Sequence, residues 1–263
     1  MDLKLTKKIA LVTGSTAGIG NAIAASLARE GATVIVSGRT TAAVDAAVTA
    51  MKADAPGEVL GFAGDLSEAS VAEDLVRRHP AVDILVNNLG IFEVKPFEDI
   101  ADADWRRFFE VNVLSGARLA RAYLPAMRRR NWGRIIFISS ESGYHIPAEM
   151  IHYGMTKAAQ IAVARGLAET TAGTAITVNS VLPGPTRSRG AETFVAEMAA
   201  KSGKSAQTVE NEFFKTARPT SLLQRFATPE EVAAMVTYVA SPVSSATNGA
   251  ALRVDGGTIK TAF

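Results

Sequence analysis

Tyr153 and Lys157 lie four residues apart in the stretch HYGMTK, near the start of a predicted helix. Residues at this spacing share one face of a helix, so the ammonium of Lys157 can favour the ionised form of the Tyr153 hydroxyl. At roughly 6 Å and an effective dielectric near 20, the attraction is about 3 kcal/mol, or on the order of two pKa units before desolvation opposes it. Such a pair could exchange a proton near neutral pH. An unrelated aromatic and charge would give the same spacing, so the rest of the sequence has to decide.

A glycine-rich stretch, TGSTAGIG, follows the first apolar segment and precedes a predicted helix. Its spacing, Gly-x-x-x-Gly-x-Gly, differs from Gly-x-Gly-x-x-Gly, and it lacks the Lys-Ser or Lys-Thr of a P-loop. Glycines let the backbone turn tightly here, and the free N–H groups of a helix N-terminus attract phosphate. A simple turn is the alternative. The placement after the first strand favours a dinucleotide site formed by Gly14, Ser15, Thr16, Gly18, Ile19 and Gly20.

The second predicted strand ends in Ser37-Gly38-Arg39-Thr40, with no carboxylate. An acidic residue there would bind a ribose 2′-hydroxyl and repel a 2′-phosphate. The guanidinium of Arg39 can bind that phosphate, with hydroxyl donors from Ser37 and Thr40. The sequence therefore favours NADP(H) over NAD(H), and a solvated Arg39 in a turn is the alternative.

The third predicted strand ends at Asp65 and Leu66. A carboxylate at this point could accept a hydrogen bond from an adenine amino group, so we expect both residues beside the adenine. Asp is also an ordinary residue before a helix cap, and Ser67 is predicted to cap the helix that follows.

Short apolar runs alternate with Ala-rich segments of helical period, which is typical of successive βαβ units around a buried parallel sheet. Seven strands are predicted, over residues 8–13, 33–38, 58–64, 82–88, 134–139, 175–184 and 250–257. Helices are predicted over 18–30, 42–54, 68–79, 102–130, 152–172 and 229–240. Because crossovers are right-handed and both sheet faces need helices, we expect an α/β, doubly wound, Rossmann-type three-layer fold with a seven-stranded parallel sheet.

Residues 185–222 break this alternation. They contain Phe194, Met198, Phe213 and Phe214 among Lys, Glu and Ser, which indicates short amphipathic helices. Such an insertion often covers a substrate, and an ordinary surface excursion is the alternative. We expect residues 1–263 to form a single dinucleotide-binding catalytic domain with a substrate lid at about 185–222.

The composition excludes several classes of function. Lys plus Arg number 28 against 26 Asp plus Glu, and a net charge of +2 is too small to indicate a nucleic-acid or membrane surface. The chain has no Cys, which excludes disulfides, thiolate nucleophiles and Cys metal ligands. No apolar stretch approaches the roughly 18 residues of a membrane span and no signal peptide is apparent, so a cytoplasmic protein is expected.

Five motifs in order make the chain similar to the short-chain dehydrogenase/reductase family, in its shorter single-domain form. They are TGSTAGIG, NNLG at 87–90, Asn112 in a predicted helix, ISS at 138–140 and YGMTK at 153–157. The similarity continues to VDGG at 254–257 and so covers nearly the whole chain. The resemblance implies an oxidoreductase that uses a nicotinamide cofactor. It also implies a homo-oligomer, a dimer or tetramer, that pairs the two long helices.

The resemblance further implies a catalytic group of Asn112, Ser140, Tyr153 and Lys157. Tyr153 would exchange a proton with the substrate oxygen during hydride transfer, and Ser140 would hold that oxygen by a second hydrogen bond. Asn112 would bind a water next to Lys157, and Lys157 would bind the nicotinamide ribose. Further cofactor contacts are implied for Asn88, Gly90, Pro183, Gly184 and Thr186.

Three other polar residues, His145, Glu149 and His152, lie between Ser140 and Tyr153. They lack paired metal-ligand spacing, so we expect pocket-lining or exposed side chains and no metal site.

The sequence thus predicts an NADP(H)-dependent oxidoreductase that interconverts a carbonyl, of ketone or 3-oxoacyl type, and a secondary alcohol. The apolar lid residues favour a partly apolar small-molecule substrate. The alternatives are an NAD-dependent alcohol dehydrogenase and a non-catalytic dinucleotide-binding regulator on the same fold. The intact set of Tyr, Lys, Ser and Asn argues against the regulator.

Overall fold

Seven apolar strands form one parallel sheet in the computed structural model, which describes residues 1–262 apart from the side chains of Arg189 and Phe194. The strands are β1 Ile9–Val12, β2 Thr33–Gly38, β3 Val59–Ala63, β4 Ile84–Asn87, β5 Gly133–Ile138, β6 Ile176–Pro183 and β7 Ala251–Val254. Their order is β3-β2-β1-β4-β5-β6-β7, and every neighbouring pair is parallel. All the predicted strands are confirmed, with small differences at their ends.

The direction of chain progression reverses beside β1. This strand pairs with β2 on one side and with β4 on the other, so the loops after β1 and β4 diverge. Open α/β sheets form a crevice at such a switch point, outside the carboxyl ends of the strands. The glycine-rich loop follows β1 and the NNLG segment begins at the end of β4, so both lie at this crevice.

Helices cover both faces of the sheet. They are α1 Gly18–Arg29, α2 Thr41–Lys52, α3 Ala69–Arg78, α4 Asp102–Phe109, α5 Ser115–Arg130, α6 Ile151–Glu169, α7 Arg189–Ser202, α8 Ala206–Thr216 and α9 Pro229–Ala240. The side chains of Thr40 and Thr228 cap α2 and α9. Ser67 does not cap α3 as predicted, because its hydroxyl donates to Asp65 and the helix starts only at Ala69. Within the described residues, no helix is long and apolar enough to cross a membrane.

The single helix predicted over 102–130 is interrupted by a wide turn. Residues Glu110–Leu114, between α4 and α5, are π-helical. A π-helical turn disturbs the regular hydrogen-bond ladder and often marks a functional position. Asn112 lies at the centre of this turn.

Apolar side chains fill one layer on each face of the sheet. Leu27 of α1 and Val236 of α9 belong to one layer, and Leu75 of α3 and Leu119 of α5 belong to the other. Strand side chains alternate between the two layers, as the pleat of a strand requires. The expected three-layer, doubly wound fold is therefore confirmed.

Two helices, α7 and α8, occupy most of residues 185–222, as the amphipathic pattern predicts. Val195 of α7 and Val209 and Phe214 of α8 form a small cluster with Phe226, which lies before α9, apart from the two layers of the sheet. The side chain of Phe194 lies outside the described residues. Arg187 pairs with Glu210 of α8 at 2.9 Å and so fixes the beginning of this segment to its second helix. We call residues 185–222 the covering segment.

Candidate active site

The loop between β1 and α1 depends on three glycines. Gly14 and Gly18 have φ values of +61° and +57°, a conformation that favours glycine. A Cβ on Gly20 would lie 2.5 Å from the carbonyl oxygen of Gly14, so only glycine allows this close approach. None of the described side chains caps α1 at Ala17, which leaves the N–H groups of the first turn to an anion.

Ser15 and Ser37 support this loop through buried hydrogen bonds. The Ser15 hydroxyl donates to the Val12 carbonyl at 2.7 Å and accepts from the Ser37 N–H at 2.9 Å. The Ser37 hydroxyl is 1% exposed and accepts from the Gly14 N–H at 3.2 Å. The prediction that Ser37 donates to a 2′-phosphate is therefore wrong, because its side chain lies beneath the loop. Ser15 shapes the loop by the same network.

Asn88 joins the end of β4 to the glycine-rich loop. Its Nδ2 donates to the carbonyls of Thr13 and Gly14, at 2.9 and 3.0 Å. Its N–H and that of Leu89 both donate to the Thr13 hydroxyl at 2.9 Å. These contacts fix the two sides of the switch-point crevice relative to each other.

Arg39 stands at the end of β2 with its side chain exposed. A Cβ on Gly38 would lie 2.4 Å from Thr16 Cγ2, so Gly38 lets Thr16 pack against the end of β2. A hydrogen bond from the Ser67 hydroxyl lowers the pKa of Asp65, and the charge of Arg39 adds to this effect. The positive charge of Arg39, after β2, therefore acts on the carboxylate of Asp65, after β3.

Asp65 and Leu66 follow β3 and differ in what they can offer. Asp65 Oδ1 accepts from the N–H and the hydroxyl of Ser67, at 3.0 and 2.7 Å. Its second oxygen could still accept from an adenine amino group. Leu66 is buried in the apolar layer, so only its backbone can contact a cofactor.

Ser140 and Glu141 follow β5. The Ser140 hydroxyl accepts from the Ser142 N–H at 3.1 Å and donates to the Glu141 carboxylate. Glu141 is 4% exposed. Its other oxygen pairs with Nε of Arg218, from the covering segment, at 3.2 Å.

Tyr153 and Lys157 lie one turn apart on α6. Nζ of Lys157 is 5.5 Å from the centroid of the Tyr153 ring and donates to the Ile138 carbonyl at 2.9 Å. The Ser139 hydroxyl donates to the Lys157 carbonyl at 2.8 Å and so attaches β5 to α6. The Ser139 hydroxyl is therefore already used, and Ser140 is the serine whose hydroxyl lowers the pKa of Tyr153.

Burial changes the proton affinity of both side chains. It raises the pKa of Tyr153 above the ordinary value of 10, and the charge of Glu141 acts in the same direction. The Ser140 hydroxyl and Arg218 act against this rise in the Tyr153 pKa. Burial lowers the pKa of Lys157 to about 7. Desolvation thus outweighs the attraction between Lys157 and Tyr153, and Tyr153 keeps its proton at neutral pH.

Asn112 is fully buried in the π-helical turn. Its Oδ1 accepts from the Ile91 N–H at 2.8 Å, and its Nδ2 donates to the Thr156 hydroxyl at 2.9 Å. The carboxamide of Gln160 connects this turn with Lys157. Gln160 Nε2 donates to the Asn112 carbonyl at 2.7 Å, and Gln160 Oε1 accepts from Lys157 Nζ at 3.0 Å. Gln160 therefore links Lys157 directly to the backbone of Asn112, and the water expected beside Lys157 stays a prediction.

The remaining predicted cofactor contacts border the same space. A Cβ on Gly90 would lie 3.5 Å from Lys157 Nζ. Pro183 ends β6, and a Cβ on Gly184 would come within 2.6 Å of the backbone after β7. The Thr186 hydroxyl donates to the Gly184 carbonyl at 2.9 Å. The structure thus places the residues predicted around a nicotinamide at the carboxyl ends of the strands.

His152 is a core residue and not the pocket-lining or exposed residue that was predicted. Its ring is fully buried, with ring centroids 4.0 Å from Phe108 and 6.1 Å from Trp105. His145 and Glu149 are exposed. In the part of the chain that the structure describes, no group of three or more His, Asp or Glu could hold a metal ion.

Sequence reasoning missed Glu141, Gln160 and Arg218. Glu141 is adjacent to Ser140, and Gln160 lies one turn after Lys157, so both could have been noticed by position alone. Arg218 gives no local signal, because 77 residues separate it from Glu141.

Sequence similarity to known proteins extends over the whole chain. A protein-family model described as short chain dehydrogenase matches residues 8–199. The uncharacterized oxidoreductase YvaG of Bacillus subtilis strain 168 is 48% identical over 264 residues, which cover 100% of both chains. The D-beta-hydroxybutyrate dehydrogenase of Cupriavidus necator is 34% identical over 97% of this chain and 99% of its own.

A solved structure matches the fold to the same extent. It is L-sorbose reductase from Gluconobacter frateurii complexed with NADPH and L-sorbose. The two chains are 30% identical and superpose with a TM-score of 0.94, over 99% of this chain and 100% of the other.

Proposed function

We propose that this chain is specific for NADP(H) and a neutral carbonyl substrate. The chain belongs to the short-chain dehydrogenase family. Members of this family are oxidoreductases that act on CH–OH or carbonyl groups with nicotinamide cofactors. The reaction would interconvert a partly apolar ketone or 3-oxoacyl-type carbonyl and the corresponding secondary alcohol. The observation that carries the proposal is geometric: Lys157 Nζ lies 5.5 Å from the Tyr153 ring, and Lys157 is bonded both to Ile138 at the end of β5 and to Ser139, next to Ser140.

The residues around the crevice fit an NADP cofactor. Gly14, Gly18 and Gly20 would let the pyrophosphate approach the N-terminus of α1. Arg39 would bind a ribose 2′-phosphate, and no carboxylate ends β2 to repel it. When bound, the nicotinamide supplies or accepts the hydride.

Tyr153 would act as the proton donor in reduction. Negative charge develops on the carbonyl oxygen as hydride adds to carbon, and a positioned hydroxyl can neutralise it. Because burial raises the pKa of Tyr153, its hydroxyl stays protonated until it transfers the proton to the substrate oxygen. Ser140 would hold the same oxygen by a second hydrogen bond.

Lys157 would stabilise the phenolate that remains after proton transfer. Two of its three N–H bonds go to the Ile138 carbonyl and to Gln160 Oε1. The third is left for the nicotinamide ribose. Gln160 is itself held by the carbonyl of Asn112, so the orientation of the ammonium depends on β5, α6 and the π-helical turn together.

Apolar side chains near Tyr153 support a partly apolar substrate. The Phe92 ring meets the Tyr153 ring edge-on, with centroids 6.4 Å apart, and is 60% exposed. Tyr144 and Ile146, on the loop between Ser140 and Tyr153, are also exposed. A substrate that covered these side chains would remove their apolar surface from water.

Charges near Ser140 favour a neutral substrate. Glu141 and Glu149 both lie near Arg218, at 3.2 and 3.8 Å, so the guanidinium is already matched by two carboxylates. An added carboxylate would meet repulsion there. L-sorbose, in the solved relative, is a neutral carbonyl compound, whereas the hydroxybutyrate in the name of the Cupriavidus relative is an anion.

The covering segment would serve as the lid over this site. A Cβ on Gly18 would lie 3.9 Å from Ser188 Cβ, and one on Gly190 would lie 2.8 Å from the Phe92 ring. The segment therefore borders both the glycine-rich loop and the aromatic residue that contacts Tyr153. The homo-oligomer implied by the family resemblance stays a prediction that light scattering can measure.

A panel of substrates assayed with all four nicotinamide cofactors tests the proposal. We expect a neutral, partly apolar ketone such as 2-octanone to be reduced with NADPH faster than the anion 3-oxobutyrate. Tyr153→Phe should abolish turnover and leave NADPH binding intact, as fluorescence titration would show. Near-normal activity of this variant would contradict the assignment of Tyr153. Binding of NADPH without turnover of any substrate would favour the dinucleotide-binding regulator.

The cofactor preference has its own variant. Arg39→Met should raise the KM for NADPH about tenfold or more, since a charge-assisted contact is worth about 1.5–3 kcal/mol, and should leave the KM for NADH unchanged. Arg106→Met, at another exposed arginine, is the control and should change neither constant. A wild-type enzyme that prefers NADH would show that our interpretation of Arg39 is wrong.

A further inference from the structure

A chain of polar contacts runs from Ser140 to the covering segment. The Ser140 hydroxyl gives its hydrogen to one oxygen of Glu141, and the other oxygen accepts from Arg218 Nε at 3.2 Å. Glu141 is 4% exposed and the Arg218 side chain 11% exposed. Two charges so far removed from water depend on each other, because loss of one partner leaves the other buried and unpaired.

The Glu141 charge opposes the proposed chemistry unless it is compensated. Its carboxylate disfavours negative charge on the Tyr153 oxygen, and the guanidinium of Arg218 favours it. Lys157, on the same helix as Tyr153, lies beside the ring as well, but burial lowers its pKa to about 7, so its positive charge is lost as the pH rises above that value. Glu149 lies 3.8 Å from Arg218 and adds a partly exposed negative charge. The charge balance at Tyr153 therefore depends on one residue of the covering segment.

Arg218 is held firmly in that segment. It follows α8, and its backbone N–H donates to the Phe213 carbonyl at 3.1 Å. Its Nη1 donates to the Ala217 carbonyl at 2.8 Å. The guanidinium is thus attached to the end of α8, and its contact with Glu141 joins the covering segment to the loop after β5.

We propose that Glu141 and Arg218 are a positioning pair, in which Glu141 orients the Ser140 hydroxyl and Arg218 compensates the Glu141 charge so that the Tyr153 oxygen can become negative. This inference rests on the proposed roles of Ser140 and Tyr153. It makes the covering segment part of the acid–base machinery as well as a cover: the site reaches its working charge balance when the segment is in place.

The pH dependence of alcohol oxidation tests the pair. The probe is the alcohol of the panel with the highest kcat/KM, assayed with NADP+ between about pH 6 and about pH 10. Oxidation requires the Tyr153 phenolate. Because burial raises the pKa of Tyr153 above 10, the whole assay range lies on the rising limb of the profile, where kcat/KM increases with pH as the small phenolate fraction grows. Glu141→Gln should move this rise to lower pH and Arg218→Met to higher pH, each by about one unit. The double variant should lie between the two, and Arg218→Lys should stay near the wild type.

Arg187→Met is the matched control, because it breaks a different ion pair of the covering segment, the one with Glu210. It should lower thermal stability and leave the pH profile in place. If Arg218→Met does not fold, the nearly isosteric Glu141→Gln decides alone: movement to lower pH supports the pair, and an unmoved profile overturns it. Single variants that shift the profile in the same direction also overturn it. Activity of Tyr153→Phe would instead overturn the proposed function, and this inference with it.

Discussion

His152 precedes Tyr153 in the chain, yet its imidazole is packed in the core against Phe108 and Trp105. Neither ring nitrogen has a hydrogen-bond partner among the described residues. Burial lowers the pKa of His152 below its ordinary value of 6.5, and the opposing charges of Glu93 and Asp104 do not reverse this effect. The folded protein therefore accommodates the neutral imidazole.

Acid should weaken the fold through this residue. Below about pH 6.5 the unfolded chain binds a proton at His152 more readily than the folded chain does, so the free energy of unfolding falls as the pH drops. Above that pH the contribution of His152 is complete. His152→Leu should lose less stability than the wild type between about pH 7.5 and about pH 5.5, measured by urea unfolding. The exposed His145→Leu should behave like the wild type, and an equal acid sensitivity of all three proteins would refute the role of His152.

Local spacing predicts some functional residues and not others. Four residues on a helix place Lys157 one turn after Tyr153, and a glycine-rich strand-to-helix turn has few possible shapes. The contact between Gln160 and Asn112 joins residues 48 apart, so no local pattern shows it. Ser37 was misjudged because a hydroxyl at a strand end can point beneath a loop as well as away from it.

At the scale of elements, α6 can approach the loop after β5 because position 154 is glycine. A Cβ on Gly154 would lie 2.6 Å from Ile146 Cγ2 and 2.9 Å from the Ser142 carbonyl oxygen. This close approach sets the position of Tyr153 relative to Ser140. A second glycine on the same helix, Gly166, would place a Cβ in open space, with nothing within 4 Å.

The two glycines should respond oppositely to added side chains. Gly154→Val should destabilise the protein by about 1–3 kcal/mol and lower kcat, because overpacking moves α6 away from the loop. Gly166→Ala should stabilise it by about 0.5–1 kcal/mol through helix propensity, with kcat unchanged. Urea unfolding and steady-state kinetics measure both effects. Wild-type turnover by Gly154→Val would show that this contact does not position Tyr153.

All the strands could be predicted because parallel strands covered on both faces are continuous apolar runs. The π-helical turn at Glu110–Leu114 could not, because the helical pattern of 102–130 continues through it. The start of α3 was misplaced because Asp65 binds the Ser67 hydroxyl that would otherwise cap the helix. Helix starts are thus hardest to predict where a polar side chain can bond to either of two nearby groups.

At the scale of the whole molecule, one buried cation joins elements far apart in sequence. The side chain of Arg134, in β5, is 1% exposed and donates to the carbonyls of Gly133, Ala175 and Ser241. Burial lowers its pKa to about 10, so it remains charged at neutral pH. The guanidinium links the start of β5 to the residue before β6 and to the residue after α9. This contact lies at the amino ends of the strands, opposite the crevice.

Arg134→Met should cost about 3 kcal/mol of stability, because it leaves buried carbonyls without a donor. The stability of Arg134→Lys should lie between that of the wild type and that of Arg134→Met. An ammonium keeps the positive charge but cannot reproduce the geometry of the hydrogen bonds to all three carbonyls. Urea midpoints of the three proteins measure the order. A loss of less than about 1 kcal/mol in Arg134→Met would show that the carbonyls find other partners.

The separate cluster of Val195, Val209, Phe214 and Phe226 has a consequence for how such an enzyme can evolve. Mutations at Val195, Val209 or Phe214 of the covering segment alter this small cluster and not the two apolar layers of the sheet. If the covering segment is the lid that we propose, natural selection can therefore change which molecules the enzyme accepts without destabilising the sheet. On the proposed role of the Glu141–Arg218 pair, a segment exchanged between relatives would function only if it brought a cation to Glu141.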